Sequence, residues 1–276
     1  MERRGACVAF GTFEFVHKGH IEVAKRVVEI AKEHGLQSVI VSCPKDGEVY
    51  TTEKEKEYLL KGTGVEIFET YQGVQSIRDI LLYIKQELHA AIVVIGRQNK
   101  NLEEIEMIAR DLRMQLDVVE AVSYDKKLIT CRWVAEAFEA NDFELLTNLC
   151  GHPYVLIGDV VHGKKLGRTV GMPTINLHIY KAKKRPNCGV YATKVVLDEE
   201  TYKAATNIGK RPTVDDFDYV TIETFILDFN KQIYGEVCVL EVHDYLREVK
   251  KFDSLEAVRL QVEKDVEQIR KKFREV

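Results

Sequence analysis

Between Gly158 and Asn176 the chain reads GDVVHGKKLGRTVGMPTIN, with Gly158, Gly163, Gly167 and Gly171 spaced five, four and four residues apart before Pro-Thr-Ile-Asn. Glycine at that density lets a backbone turn sharply and bring its N–H groups against an anion, because a Cβ would obstruct both. Thr174 and Asn176 add two neutral oxygen donors on one face of an extended segment, suited to a hard cation such as Mg2+ that also holds phosphates. The combination reads as a site for ATP and Mg2+, with Lys164, Lys165 and Arg168 as counterions on the loop. A Walker A loop fits Gly158 to Lys164 but needs Ser or Thr where Lys165 stands. The glycines and proline that follow also cannot form its helix. A string of surface turns is the plain alternative for the glycines alone, and the Pro-Thr-x-Asn ending argues against it.

A second cluster lies near the start, where Gly11-Thr-Phe13-Glu-Phe-Val-His17-Lys-Gly19-His20 leads into an amphipathic stretch. Two imidazoles three residues apart at a helix N-terminus can both face a phosphate, where the helix dipole adds to their donors during nucleotidyl transfer. The competing reading, capping or local packing, suits isolated histidines better than H-x-G-H in this position.

These groups need elements to hold them. Over residues 6–122, short apolar runs at 7–10, 38–42, 65–70, 91–95 and 116–122 alternate with amphipathic segments, a βαβα pattern that predicts a parallel sheet with helices on both faces. In the first helix, expected over 19–34, Ile21, Ala24, Val28 and Ala31 share one face while Glu22, Lys25, Glu29 and Lys32 share the other. Ligands of such sheets bind at the carboxyl ends of the strands. Residues 132–149 predict two short helices broken at Asn141-Asp142. Beyond Tyr154, strands at 155–162, 189–197, 203–208, 219–227 and 236–246 predict a closed antiparallel barrel. Leu255, Val258, Val262, Val266 and Ile269 then form the apolar stripe of a helix over 254–273, expected to pack on that barrel. The expected domains are 1–150 and 151–276.

At 276 residues with a formal net charge of −4 and both signs mixed, the chain has room for two cores and no electrostatic case for wrapping nucleic acid. Six cysteines without a C-x-x-C pair, several inside apolar runs, read as reduced core residues. The apolar run before Gly11 is too short for a signal peptide, and no later run is long enough for a membrane span, so the expected compartment is the cytoplasm.

The first half resembles the HxGH nucleotidyltransferases, in particular the FMN adenylyltransferase domain of bifunctional riboflavin kinase/FAD synthetases, whose motif is roughly G-x-F-D-G-V-H-x-G-H. His17, Gly19 and His20 match it, while Glu14 replaces Asp and Phe15 replaces Gly. By that resemblance Gly11, Phe13, His17, Gly19, His20 and Arg132 form a second nucleotide site, and the domain is Rossmann-like. Where the family has G-x-D/N-F-x-F-G, this chain has Gly96-Arg-Gln98-Asn99-Lys-Asn101. Its S-S-T-x-I-R motif aligns to Thr130-Cys131-Arg132-Trp133-Val134-Ala135, with the terminal Arg replaced by Ala135.

The second half resembles riboflavin kinase through Gly158…Gly163…Gly167-Arg168…Gly171-x-Pro173-Thr174-x-Asn176, Gly189-Val-Tyr-Ala, Asn207-Ile-Gly-x-x-Pro212-Thr213, Ile222-Glu223-Thr-Phe-Ile-Leu-Asp228, Ile233-Tyr-Gly235 and Leu246-Arg247-x-x-x-Lys251-Phe252. That likeness implies that Thr174 and Asn176 hold Mg2+ and phosphate. It also implies that Glu223 is the general base for the ribityl 5′-hydroxyl and that Arg247 lies near the flavin. A primary alcohol attacking a γ-phosphoryl does need a carboxylate to accept its proton. Strand alternation alone would make Glu223 a solvent-facing residue. The resemblance therefore implies a riboflavin kinase that converts riboflavin and ATP to FMN, with FMN adenylyltransferase activity in the first half. The other reading keeps the kinase and makes the first half a nucleotide- or flavin-binding regulatory module or a structural one. The changes at Gln98, Asn99, Asn101 and Ala135 favour that reading, and His17 and His20 oppose it.

Overall fold

The structure, a computed structural model, describes residues 4–74, 76–162, 173–211 and 219–274. The chain divides into two compact units, one of Met1–Val134 with Leu149–Gly151 and one of Ala135–Asn148 with His152–Val276.

The first unit opens with β1 (Ala6–Gly11), α1 (Lys18–His34), β2 (Gln37–Ser42), α2 (Glu53–Lys61), β3 (Ile67–Thr70) and α3 (Ile77–Gln86). It continues with β4 (Ala90–Gly96), α4 (Leu102–Asp111), β5 (Gln115–Val119) and a small hairpin, β6 (Ser123–Tyr124) and β7 (Lys127–Leu128). The five long strands form a parallel sheet in the order β3-β2-β1-β4-β5. Period-2 geometry splits β1 between two cores. Cys7 and Ala9 pack with Val23, Val27 and Ile30 of α1 and Leu60 of α2. Val8 and Phe10 pack with Ile80 and Ile84 of α3 and Ile105 of α4. Helix α1 stops at Gly35, whose left-handed φ of 66° lets the chain turn while the Leu36 N–H reaches back to the Ala31 carbonyl at 2.8 Å. Thr52 and Glu55 close a reciprocal capping box at the start of α2.

After α5 (Cys131–Glu139) and α6 (Phe143–Cys150), the second unit is built from β8 (Tyr154–Val161), β9 (Thr174–Ile179), β10 (Gly189–Leu197), β11 (Glu200–Arg211), β12 (Tyr219–Ile226), β13 (Val237–Arg247) and α7 (Leu255–Lys272). The strands close into an antiparallel barrel in the order β10-β11-β12-β9-β8-β13. Aromatic contacts join residues 135–148 of these helices to the barrel: Phe138 lies 4.7 Å from Tyr154, and Phe143 stands edge-on to Tyr191 at 5.6 Å. Inside the wall, Thr193, Thr206 and Thr224 are fully buried and linked through their hydroxyls at 2.8 and 2.9 Å, and Thr193 donates onward to the Ala204 carbonyl. The opposite face of the same strands presents Ala192, Ala205 and Phe225 to Val266 and Ile269 of α7. Among the described residues no helix is long and apolar enough to cross a membrane, and all six cysteines are free thiols.

Candidate active sites

In the parallel sheet the strand order reverses direction between β1 and β4, and a crevice forms where their carboxyl ends part. A cavity of about 600 Å³ lies there, lined by Gly11, Phe13, His17, Gly19 and His20 from the β1–α1 turn, by Gly96, Arg97, Gln98 and Asn99 after β4, and by Thr130 and Cys131 at the start of α5. Five of the six residues expected at a second nucleotide site therefore share one cavity. Arg132, the sixth, is exposed and is not among the lining residues. Thr130 and Cys131 were not expected there. Their signal was the position of the S-S-T-x-I-R motif, whose first two serines they replace.

The turn that presents the histidines is backbone-strained. Phe13, Phe15 and Val16 have φ of 47°, 62° and 49°, in the left-handed region that costs an ordinary side chain roughly 1–3 kcal/mol. Local contacts hold it. The Phe15 N–H donates to Thr51 Oγ1 at 2.7 Å, Glu14 accepts from the Tyr50 N–H at 2.8 Å, and the Phe15 ring stacks on Tyr50 at 4.3 Å. Phe15 thus keeps the backbone conformation that suits the family's glycine and offsets its cost by burying an aromatic pair.

His17 then caps α1 with extended backbone, and its ring stacks on His20 at 3.8 Å and 15°, with Phe13 edge-on to His20 at 5.3 Å. Gly19 leaves this packing room, since a Cβ there would lie 3.1 Å from the His17 ring, which would have to shift by a few tenths of an ångström. His20 titrates well below the usual histidine range, first because it is buried and then because His17 and the Lys56 ammonium are near. Lys56 is itself buried, paired with Glu53 at 2.6 Å. A neutral imidazole offers a hydrogen bond rather than a charge, and the N-terminus of α1 supplies positive potential beside it. Asn99 spends its side chain on the turn into α4, accepting the Asn101 N–H at 2.9 Å, and Arg97 pairs with Glu120 at 2.7 Å. The segment that carries aromatics in the family is here a polar helix entry.

In the barrel, β12 pairs with β9 so that Glu223 stands directly opposite Asn176 and Phe225 opposite Thr174. Facing residues of an antiparallel pair have Cβ atoms about 4.5–5.5 Å apart on the same face. Glu223, Asn176 and Thr174 consequently form one oxygen-bearing patch on the outer wall. The register carries the row further, from Glu223 to Asn207 on β11, from Asn207 to Val190 on β10, and from Val190 to Arg247 on β13. Asn207 was not expected as a site residue, although the Asn207-Ile-Gly phrase held it in view. Arg247 is clamped by Asp265 of α7, with Nη2–Oδ2 at 2.7 Å, and Asp265 also accepts from Gln261 at 2.9 Å. A cavity of about 480 Å³ opens beside Thr174, between Pro173 and the 226–234 segment.

Gly158 has a steric reason for being glycine, because a Cβ would sit 2.3 Å from the His178 carbonyl oxygen where β8 and β9 close together. Asp228, unassigned from sequence, pairs with Arg270 at 2.8 Å, and His162 stacks on Tyr234 at 3.9 Å. Gly163, Lys165, Gly167, Arg168 and Gly171 lie outside the described residues. The donors that are described, a hydroxyl, an amide oxygen and a facing carboxylate, are all oxygen and suit a hard divalent cation such as Mg2+.

Family models match the chain in two places, one described as FAD synthetase over residues 1–132 and one as riboflavin kinase over 150–273. Among curated relatives, the bifunctional riboflavin kinase/FMN adenylyltransferase of Listeria monocytogenes is 30% identical over 96% of this chain and 92% of its own. Those of Haemophilus influenzae and Bacillus subtilis are 28% and 29% identical, each over 96% of this chain and over 93% and 91% of their own. A solved Streptococcus pneumoniae structure, described as a macrolide-efflux protein, has the same fold with a TM-score of 0.80 and 26% identity, covering 97% of this chain and 94% of that one.

Proposed function

The chain belongs to the bifunctional riboflavin kinase/FMN adenylyltransferase family, and on that footing we propose that it phosphorylates riboflavin to FMN and then adenylylates FMN to FAD, using ATP in both reactions. We assign the kinase to residues 151–276 and the adenylyltransferase to 1–150, divisions supported by where the two family models match. The observation that carries the kinase is the pairing of Glu223 with Asn176 across β12 and β9.

In the kinase, the Glu223 carboxylate accepts the proton of the riboflavin 5′-hydroxyl as that oxygen attacks the γ-phosphorus, the bond to the β–γ bridging oxygen breaks and ADP leaves. Thr174 and Asn176 orient the phosphate tail, and they would hold Mg2+. When bound there, Mg2+ neutralises charge on the β- and γ-phosphates. The cavity beside Thr174 gives the nucleotide room, and Gly163, Lys165, Gly167, Arg168 and Gly171 are assigned to its phosphates with Gly158 at their base. Arg247, set by Asp265 at the far end of the row, is assigned to the flavin side.

In the adenylyltransferase, FMN phosphate attacks the α-phosphorus of ATP and pyrophosphate leaves. His17 and His20 hold the triphosphate at the start of α1, where helix dipole and imidazole donors stabilise charge on the leaving group. Gly11, Phe13 and Gly19 shape the floor, and Arg132 is assigned to the nucleotide from the solvent side.

The test is to incubate the protein with riboflavin, ATP and Mg2+ and to resolve FMN from FAD by chromatography. The parent should make both, Glu223→Gln should make neither from riboflavin, and His20→Ala should stop at FMN. A parent that makes only FMN removes the adenylyltransferase, and one that makes neither FMN nor FAD from riboflavin removes the kinase.

A further inference from the structure

The first-unit cavity holds a donor set that phosphate binding does not explain. His17, His20 and Cys131 each offer a ligand atom, and the three atoms lie within 4.8 Å of one another. Two imidazoles and a thiol are ligands for a borderline-soft transition metal and a poor set for Mg2+, which takes oxygen. Cys131 stands where the motif compared above has serine, so a soft ligand has replaced a hard one beside the histidine pair. Its place is fixed. Thr130 Oγ1 accepts the Trp133 N–H at 3.2 Å and starts α5, and Cys131 Sγ lies 3.8 Å from the Glu14 carbonyl oxygen.

We propose that His17, His20 and Cys131 form a zinc-binding site in the wall of this cavity, and that zinc bound there shuts off adenylyl transfer. Tetrahedral zinc, with bonds of about 2.0 Å to nitrogen and 2.3 Å to sulfur, needs donors roughly 3.3–3.7 Å apart, so the three atoms close by little more than 1 Å. The rings now stack nearly parallel, so sharing one metal requires them to turn about their Cβ–Cγ bonds, a broad torsion. His20 Nδ1 is shut off from solvent with no hydrogen bond among the described residues, so the ring has a nitrogen that its present surroundings leave unsatisfied. As the metal binds, the Cys131 thiol proton passes to solvent and an Sγ–Zn bond forms, while the fourth position faces the cavity and takes water. Inhibition rests on the phosphate role given above to His17 and His20, because zinc and the triphosphate would claim the same two rings. The binding of zinc does not depend on that role.

The full-length protein, stripped of metal, is titrated with Co2+ as a spectroscopic stand-in for zinc. Expected are one equivalent bound, the visible bands of tetrahedral cobalt, a thiolate-to-cobalt charge-transfer absorption, and loss of all three on adding Zn2+. Cys131→Ser should abolish the charge-transfer band and weaken binding by about tenfold or more, whereas Cys188→Ser should leave both intact. No charge-transfer band in the parent, or the same band in Cys131→Ser, overturns the site. In a second arm with excess Mg2+, added Zn2+ should suppress FAD formation in the parent by about tenfold, leave FMN formation within about twofold, and inhibit Cys131→Ser much less. Equal inhibition of both variants overturns the inhibitory role. The cobalt spectrum is read whether or not the parent makes FAD, so failure of the metal site is distinguishable from failure of the adenylyltransferase assignment.

Discussion

Removing the charge at Glu223 while keeping its shape tests the proposed proton-accepting role apart from binding and folding. Glu223→Gln is expected to lower the rate of FMN formation by about 100- to 10,000-fold, with a thermal midpoint near the parent's, because the side chain is only half-buried. A parent-like rate would sink the assignment of this carboxylate. No spacing rule links residue 223 to residue 176. Their adjacency depends on strand pairing, and alternation alone would have left Glu223 as a solvated strand residue. His17 and His20 were legible because three residues across one helix start is a local pattern, and Cys131 was not, because only the folded first unit brings it beside them. At Phe15 the strain is testable. Phe15→Ala and Phe15→Gly lose the same ring, for about 1–3 kcal/mol of stability, but glycine relaxes the left-handed backbone and should be the more stable of the two by about 1 kcal/mol in urea unfolding. Thiol reactivity follows burial. Desolvation pushes Cys7 and Cys238 up to about 12 and Cys43 up to about 11, so alkylation of the native protein at pH 8 should label exposed Cys188 quickly and these three only after unfolding.

Helix α7 is joined to the barrel by apolar contacts at Ile269 and by the Arg247–Asp265 pair, and the pair is where substitution should be costly. Asp265→Ala leaves a mostly buried guanidinium without its carboxylate and is expected to cost about 3 kcal/mol in denaturant unfolding, and to raise the KM for riboflavin if Arg247 serves the flavin. A variant as stable as the parent would show that the clamp contributes nothing. Thr206 sits at the middle of the threonine ladder, so Thr206→Val should cost more than the same change at Thr224, which ends it. The inner parallel strands β1, β2 and β4 were legible as short apolar runs, and α1 and α7 as stripes at helical spacing. Helix α2 went unplaced because Glu53-Lys-Glu-Lys-Glu57 shows no apolar stripe, although the Thr52-x-x-Glu55 capping box marks its start. Strand β9 was foreseen only as an extended segment, since the glycine-rich run before it dominates the local pattern.

Across the whole chain the two reactions should separate cleanly, because each cluster of site residues lies within its own compact unit. Given FMN directly, Glu223→Gln should still make FAD, and given riboflavin, His20→Ala should still make FMN within about twofold of the parent, both read by chromatography. Loss of both activities from either single change would mean that the sites do not act separately. The change from alternating helix and strand to successive strands places the expected division near 150. The structure instead groups residues 135–148 with the barrel, where aromatic packing on Tyr154 and Tyr191 outweighs sequence order. One property of β12 reaches beyond any point substitution. Odd-numbered Glu223 looks outward to Asn176 while even-numbered Thr224 looks inward to Thr206, so losing or gaining one residue upstream in that strand would exchange the two. The acid would then be entombed among hydroxyls and a threonine would face the phosphate. Indels there should be forbidden to any functional descendant of this protein, even where nearly every single-letter change is forgiven.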